Sequence, residues 1–177
     1  DFSLCNAQLV IAREYGFATW KALLDAVASL ESFSFDDAFV NANPSLDWVQ
    51  DQITRIAPAN FPVLINGETG TGKALVARMI HRASSRKEGP FIAVNCDTDP
   101  GILIESELFG HKAGAFTGAK ADRTGKVEIA RGGTLFLDDV TILPASAQIK
   151  LMRLLDQADF EPLGGAEATP ADVRVIA

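Results

Sequence analysis

Several things that would narrow the class at once are scarce in this sequence. Only two of the 177 residues are cysteine, Cys5 and Cys96, too few and too far apart for a disulfide scaffold. Two reduced thiols fit a cytoplasmic protein. No apolar run reaches the roughly 18 residues that a membrane helix needs. Phe2 to Val10 lacks the basic start and small-residue cleavage site of a signal peptide. A soluble, cytoplasmic protein without membrane contact is therefore expected. Positive charge is also short: Lys and Arg number 16 against 23 Asp and Glu, a formal net charge of −7. That balance speaks against a nucleic-acid footprint, so no direct DNA contact is expected from this chain.

What is present is ordinary for a globular protein: 47% hydrophobic and 22% charged residues, in a length that suits one domain with a small appendage. The charge is uneven. Residues 1–60 carry eight acids against three bases, and the other bases, which could serve an anion, follow later. Residues 1–31 read as a helical N-terminal appendage, two amphipathic helices broken near Gly16, with Leu9 and Ala12 on one and Leu23, Leu24, Val27 and Leu30 on the other. Residues 32–43 read as a Ser-rich acidic linker. The main domain is expected over 44–177, opening on a helix that starts near Pro44 and carries Leu46, Val49, Ile53 and Ile56 at helical spacing.

Phe61-Pro62-Val63-Leu64-Ile65-Asn66 is a short apolar run, expected to be a buried strand. Gly67-Glu68-Thr69-Gly70-Thr71-Gly72-Lys73 follows at once, and an amphipathic helix follows that, Ala74 to His81. Strand, glycine-rich turn, helix is the context in which Gly-x-x-x-x-Gly-Lys predicts phosphate binding. Glycines let backbone N–H groups converge on phosphate oxygens, the helix N-terminus adds partial positive charge, and Lys73 reaches the terminal phosphates. The residue after Lys73 is Ala74, where the general pattern has a hydroxyl for Mg²⁺. A metal would then be held through water or by another carboxylate.

Pro90 to Cys96 is a second expected strand, with Asn95 at its C-terminal end, the edge where ligands sit in open α/β sheets. Thr134-Leu135-Phe136-Leu137-Asp138-Asp139 is a third, an apolar strand ending in two acids. Beside a phosphate loop, such acids hold Mg²⁺ and orient an attacking water. Asp138 would serve the metal and Asp139 the water. A helix from about Ala145 to Ala158, with Ile149, Met152 and Leu155 on one face, precedes a fourth strand over Asp172 to Ala177. Strands alternating with helices give a P-loop α/β fold, a parallel sheet between helical layers.

Between a helix near Ile102 to Phe109 and the third strand stands Gly114-Ala115-Phe116-Thr117-Gly118-Ala119. Its glycines and alanines bury little and ease an unusual backbone path. On residue types alone, a tight turn with Phe116 folded back into the core is preferred to a loop that presents Phe116 to a partner.

From about Phe39 to Ala177 the sequence resembles the central AAA+ ATPase domain of bacterial sigma-54-dependent transcriptional activators. Gly67 to Lys73 with Leu75 to Arg78 resembles that family's Walker A region, and Gly132 to Asp139 its Walker B. Pro90 to Cys96 is similar to its second strand, Gln148 to Leu155 to its later helix, and Glu105 to Ala119 to its signature insertion. The resemblance implies ATP and Mg²⁺ as cofactors, bound through Gly67, Glu68, Thr69, Gly70, Thr71, Gly72, Lys73 and Ala74. It implies that the 114–119 loop contacts sigma-54, that Asn95 switches the catalytic acid, and that the intact protein forms a hexameric ring that remodels the closed promoter complex.

Departures from the pattern shape the expected activity. The usual second Walker B acid is Glu, but Asp139 stands here, and Ala74 replaces a usual Glu. Val40 to Asn43 lacks the Gly and Ser often found near the adenine. The sequence stops short of the family's sensor residues, arginine fingers and lid, and an arginine finger is worth about 10³ in rate. ATP binding with weak or no turnover is expected of this chain alone. The competing expectation is a nucleotide-binding, hydrolysis-poor module that docks on sigma-54 or on intact activator subunits.

Overall fold

The computed structural model describes residues 47–97 and 101–177. The expected helices within 1–31, the 32–43 linker and the Pro44 helix start lie outside the described residues. The chain divides into two compact units, residues 1–50 and 51–177, and the second holds the phosphate-loop sequence.

A parallel sheet forms the centre. Strands β1 (Phe91–Asn95), β2 (Thr134–Asp138) and β5 (Arg174–Ile176) lie in the order β1-β2-β5. Register places Asn95 beside Asp138, and Phe136 beside Ile176. The middle of strand β2 is apolar because it is central: Leu135, Phe136 and Leu137 are all buried.

The 61–66 run departs from expectation. It is not a buried strand but an extended segment on the outer side of β5, bonded through Val63 N–H to the Val175 carbonyl (3.1 Å), Ala177 N–H to the Val63 carbonyl (2.9 Å) and Ile65 N–H to the Ala177 carbonyl (2.6 Å). Val63 and Ile65 are half-buried while Phe61 and Leu64 are exposed. Alternation at an edge, where one face lacks cover, explains the difference; an apolar run cannot by itself distinguish edge from centre.

Helix α1 (Asp47–Ile56) is followed by α2 (Lys73–Arg82), α3 (Ile102–Phe109), the short α4 (Lys126–Ile129) and α5 (Ala145–Gln157). Helix α2 packs on β2, α4 on β1, and α3 against both α4 and α5. The α5 face that looked core-directed is turned outward: Ile149, Met152 and Leu155 are exposed, whereas Ala147 and Leu154 are buried. The real core stripe uses a small residue at its head, which weakens its signal in the sequence. After α5 come β3 (Asp159–Phe160) and β4 (Thr169–Pro170), an antiparallel hairpin too short to announce itself.

Among the described residues, Arg174 is the largest fully buried side chain. Its guanidinium donates to the carbonyls of Ala57 (2.8 Å) and Ile56 (2.9 Å) at the C-terminal end of α1, where unpaired carbonyls carry partial negative charge. Burial lowers its pKa. One side chain thus ties β5 to α1.

Candidate phosphate-binding site and its neighbouring loop

The extended segment ends at Asn66 and turns directly into Gly67. Gly70 (φ 83°) and Gly72 (φ 89°) are left-handed, a conformation that costs other residues about 1 kcal/mol or more. Gly72 is the N-cap of α2 and offers no side chain to it, so the first N–H groups of the helix are left for a ligand. Thr71 closes the turn by donating from Oγ1 to the Glu68 carbonyl (2.8 Å). Lys73 Nζ donates to the carbonyls of Gly67 and Glu68, each at 3.3 Å, so the ammonium arches over the loop. Thr69 lies within this exposed turn, and Ala74 is an exposed methyl that cannot ligate a metal.

Strand β2 delivers the acids to the same place. A cavity of about 140 Å³ is lined by Asn66, Gly67, Lys73, Asp138, Asp139 and Thr141, among others. Asp139 takes a left-handed backbone (φ 55°, ψ 46°), which Asp enters more readily than most residues. That turn ends β2 and starts the short 3-10 turn Val140–Ile142. Asn95 is exposed at the end of β1, beside Asp138 in register, and its Oδ1 accepts the Asp97 N–H (2.9 Å). Lys73, Asp138 and Asp139 are thus brought to one cavity, with Asn95 at its neighbouring strand end.

Cys96 is buried just behind. Its thiol pKa is pushed up to about 11, by burial first and then by Asp138, Asp139 and Glu107. It stays a protonated, unreactive thiol near neutral pH. Two of these acids, Asp138 and Asp139, line the same cavity as Lys73.

The open N–H groups of the α2 N-terminus and the Lys73 ammonium are the donors that a phosphate chain requires. Among the described residues no cluster of three His, Cys, Asp or Glu could hold a metal on protein ligands alone. A Mg²⁺ held by one carboxylate, water and phosphate oxygens needs no such cluster, and Asp138 fits that part.

The 110–125 region is built differently. Gly110 and Gly125 meet so closely that a Cβ on either would overlap the other's stem. Past this neck, His111 and Arg123 exchange two backbone bonds (3.0 and 2.9 Å). Lys112 pairs with Asp122 (2.8 Å), whose other oxygen accepts the Ala113 N–H (2.8 Å). These contacts, the Lys112 bond first, lower the Asp122 pKa, and Asp122 in turn raises that of Lys112. At the tip, Gly114 and Gly118 are left-handed, Thr117 is exposed, Ala119 is buried, and Phe116 is half-buried against the core with Ala115. Phe116 is folded back in this structure, as residue types alone suggested.

Sequence reading missed the side chains that fasten α3, the helix leading into this loop. Glu105 and Ser106 are buried on it. Ser146 at the start of α5 donates to Glu105, and Lys150 lies 3.7 Å from the same carboxylate. A polar Glu105-Ser106-Glu107 run between apolar residues of the helix was the available signal.

A parallel sheet, a glycine-rich turn into a helix, and acids at the next strand end define a P-loop NTPase of α/β architecture. The sigma-54 interaction domain profile matches residues 39–177, and the chain belongs to that AAA+ family of bacterial transcription regulators. It is 50% identical over 137 residues to a Nif-specific regulatory protein of Azospirillum lipoferum, covering 77% of this chain and 22% of that protein. It is 52% identical over 125 residues to the sigma-54-dependent transcriptional activator SfnR of Pseudomonas putida, covering 71% and 34%. NtrX from Brucella abortus, solved in complex with ADP, matches at a TM-score of 0.71 and 34% identity, over 97% of this chain and 35% of that one. The chain therefore spans about a fifth to a third of these relatives' own length. Among the described residues no helix is long and apolar enough to cross a membrane.

Proposed function

We propose that this chain is the ATP-binding core of a sigma-54-dependent transcription activator, with the 114–119 loop as its contact to sigma-54 and ring assembly in the intact protein. One observation carries the reading: Lys73 and the acids Asp138 and Asp139 line a single cavity entered by the open N-terminus of α2. That NtrX is solved with ADP supports a nucleotide in this place.

The chemistry follows from the side chains. Backbone N–H groups of residues 67–74 and the Lys73 ammonium bind and orient the phosphates. When Mg²⁺ is bound, it neutralises phosphate charge, and Asp138 is the residue that would hold it. Asp139 is the acid that orients a water toward the terminal phosphate. Being one methylene shorter than Glu, it leaves the water misplaced by on the order of 1 Å, which costs about a hundredfold in rate. Asn95, beside Asp138, reports phosphate occupancy to β1 and onward to the loop.

The test is nucleotide binding by fluorescent ATP analogue, in the native chain and in Lys73→Ala. Losing a charge-assisted contact of about 1.5–3 kcal/mol should weaken binding by roughly 10- to 100-fold. Unchanged affinity in Lys73→Ala would remove the phosphate assignment. Co-sedimentation with sigma-54, dependent on nucleotide and lost in Phe116→Ala, tests the output side.

A further inference from the structure

Phe116 does not hang free. Its ring meets the His111 ring edge-on, with centroids 5.0 Å apart and planes at 71°. His111 is fixed from several sides. Its own N–H and carbonyl both bond Arg123 (3.0 and 2.9 Å). The neighbouring Gly110 carbonyl and Lys112 N–H both bond Leu163, in the segment joining β3 to β4 (3.0 and 2.9 Å). Its Nδ1 shares a hydrogen bond of 2.6 Å with Ser106 Oγ on α3. Ser106 follows Glu105, the residue fastened to α5 through Ser146 and Lys150.

The backbone of this segment bonds within the loop, while Phe116 and Ala115 rest half-buried against the core and Ala119 is buried. Gly114 N–H bonds the Ala119 carbonyl (2.8 Å), Ala115 N–H the Lys112 carbonyl (3.1 Å) and Ala119 N–H the Phe116 carbonyl (3.0 Å), all within the loop. Gly114 and Gly118 both have open space where a Cβ would stand, so the tip has two unencumbered pivots. A rigid shelf and a pivoting tip meet at this ring pair, beside the apolar seat of Ala115 and Phe116. Edge-to-face aromatic pairs of this kind are marginal contacts, strong enough to bias a loop and weak enough to break.

We propose that His111 is a positioning residue that holds Phe116 docked against the domain, so that release of this ring pair sets how often Phe116 is offered to a partner. The inference rests on reading the 114–119 loop as the partner contact. Neither Ser106 nor His111 lines the phosphate cavity, so the latch can be broken while nucleotide binding stays intact.

The test is hydrogen exchange across residues 112–120 in the full chain, with ATP-analogue affinity and sigma-54 co-sedimentation measured on the same samples. His111→Ala should raise exchange at the Ala115 and Ala119 amides about threefold to tenfold, the size expected for losing one aromatic pair. Ser106→Ala should move it less in the same direction, and His111→Phe, which keeps a ring on the shelf, should restore it toward the native rate. Nucleotide binding should be retained in all of them, shifted by no more than the loop itself is shifted, which a general loosening of the fold would not reproduce. Should His111→Ala fold poorly, the Ser106→Ala and His111→Phe pair carries the same contrast. Unchanged exchange at 112–120 in Ser106→Ala and His111→Ala overturns the latch, as does a His111→Phe variant as loose as His111→Ala. Faster exchange with no change in sigma-54 capture leaves the latch standing and rejects sigma-54 as the loop's partner.

Discussion

The phosphate loop and the 110–125 loop are both glycine-rich connections on the same domain, yet they are built on opposite principles. Residues 67–73 are shaped by their own backbone: two left-handed glycines, a Thr71 side-chain bond inside the turn, and a lysine folded onto its own carbonyls. Residues 110–125 close partly on themselves, through His111–Arg123 and Lys112–Asp122, but are also held from outside by Leu163 of the β3–β4 connection and Ser106 of α3. A loop made by local bonds keeps its form wherever its strand and helix put it. One made by distant contacts responds to whatever moves those contacts. The first suits a ligand cradle and the second suits an output.

The largest effect should come from breaking what supports the phosphate-loop side. Arg174→Ala leaves two helix-end carbonyls unpaired and a void in the core, so it should lower the unfolding free energy by about 2–4 kcal/mol in denaturant titration. Arg174→Lys, which lacks the fork, should recover only part of it. A loss under about 1 kcal/mol would mean that the segment beside β5 does not depend on this tie.

Next is Asp139→Glu in the intact activator. If acid length limits turnover, steady-state ATP hydrolysis should rise by up to about a hundredfold, with nucleotide affinity nearly unchanged. A neutral result would shift the limit away from this side chain. The left-handed backbone at Asp139 favours Asp over Glu, so a small stability loss should accompany any gain.

The smallest effect concerns pH. His81 on α2 is buried and shares a 2.9 Å hydrogen bond with Thr134 of β2. Burial first, then Arg82, holds its pKa below the ordinary 6.5. Unfolded chains therefore take up the proton near pH 6.5 while folded ones still resist it, and stability should fall as pH drops from about 7 through that window. His81→Gln should flatten that slope in thermal melts between pH 7 and 5; an identical slope would show that another group titrates there.

How legible each region is from sequence follows the same division. Gly67 to Lys73 and Asp138-Asp139 can be picked out because their geometry is encoded by neighbours within seven residues. The 61–66 run misleads because apolar content does not reveal which strand lies at the edge, and Leu64 ends up 68% exposed. Helix α5 misleads because Ile149 and Met152 outshine Ala147, the residue that actually meets the core. Buried Glu105 and Arg174 cannot be anticipated, since their partners Ser146 and Ala57 are 41 and 117 positions away and only the fold brings them together. The resemblance to the sigma-54 activators supplies a role for the hexapeptide that residue types alone do not, while residue types alone foresee its folded-back Phe116.

Hydrogen exchange at residues 110–124, followed while an ATP analogue and Mg²⁺ are titrated onto the full chain, tests the link between cradle and output most directly. The account predicts that exchange in this loop changes in step with occupancy of the phosphate site, and that Lys73→Ala, at concentrations where the native chain is saturated, shows no such change. Saturated nucleotide binding with loop exchange unaltered would contradict it.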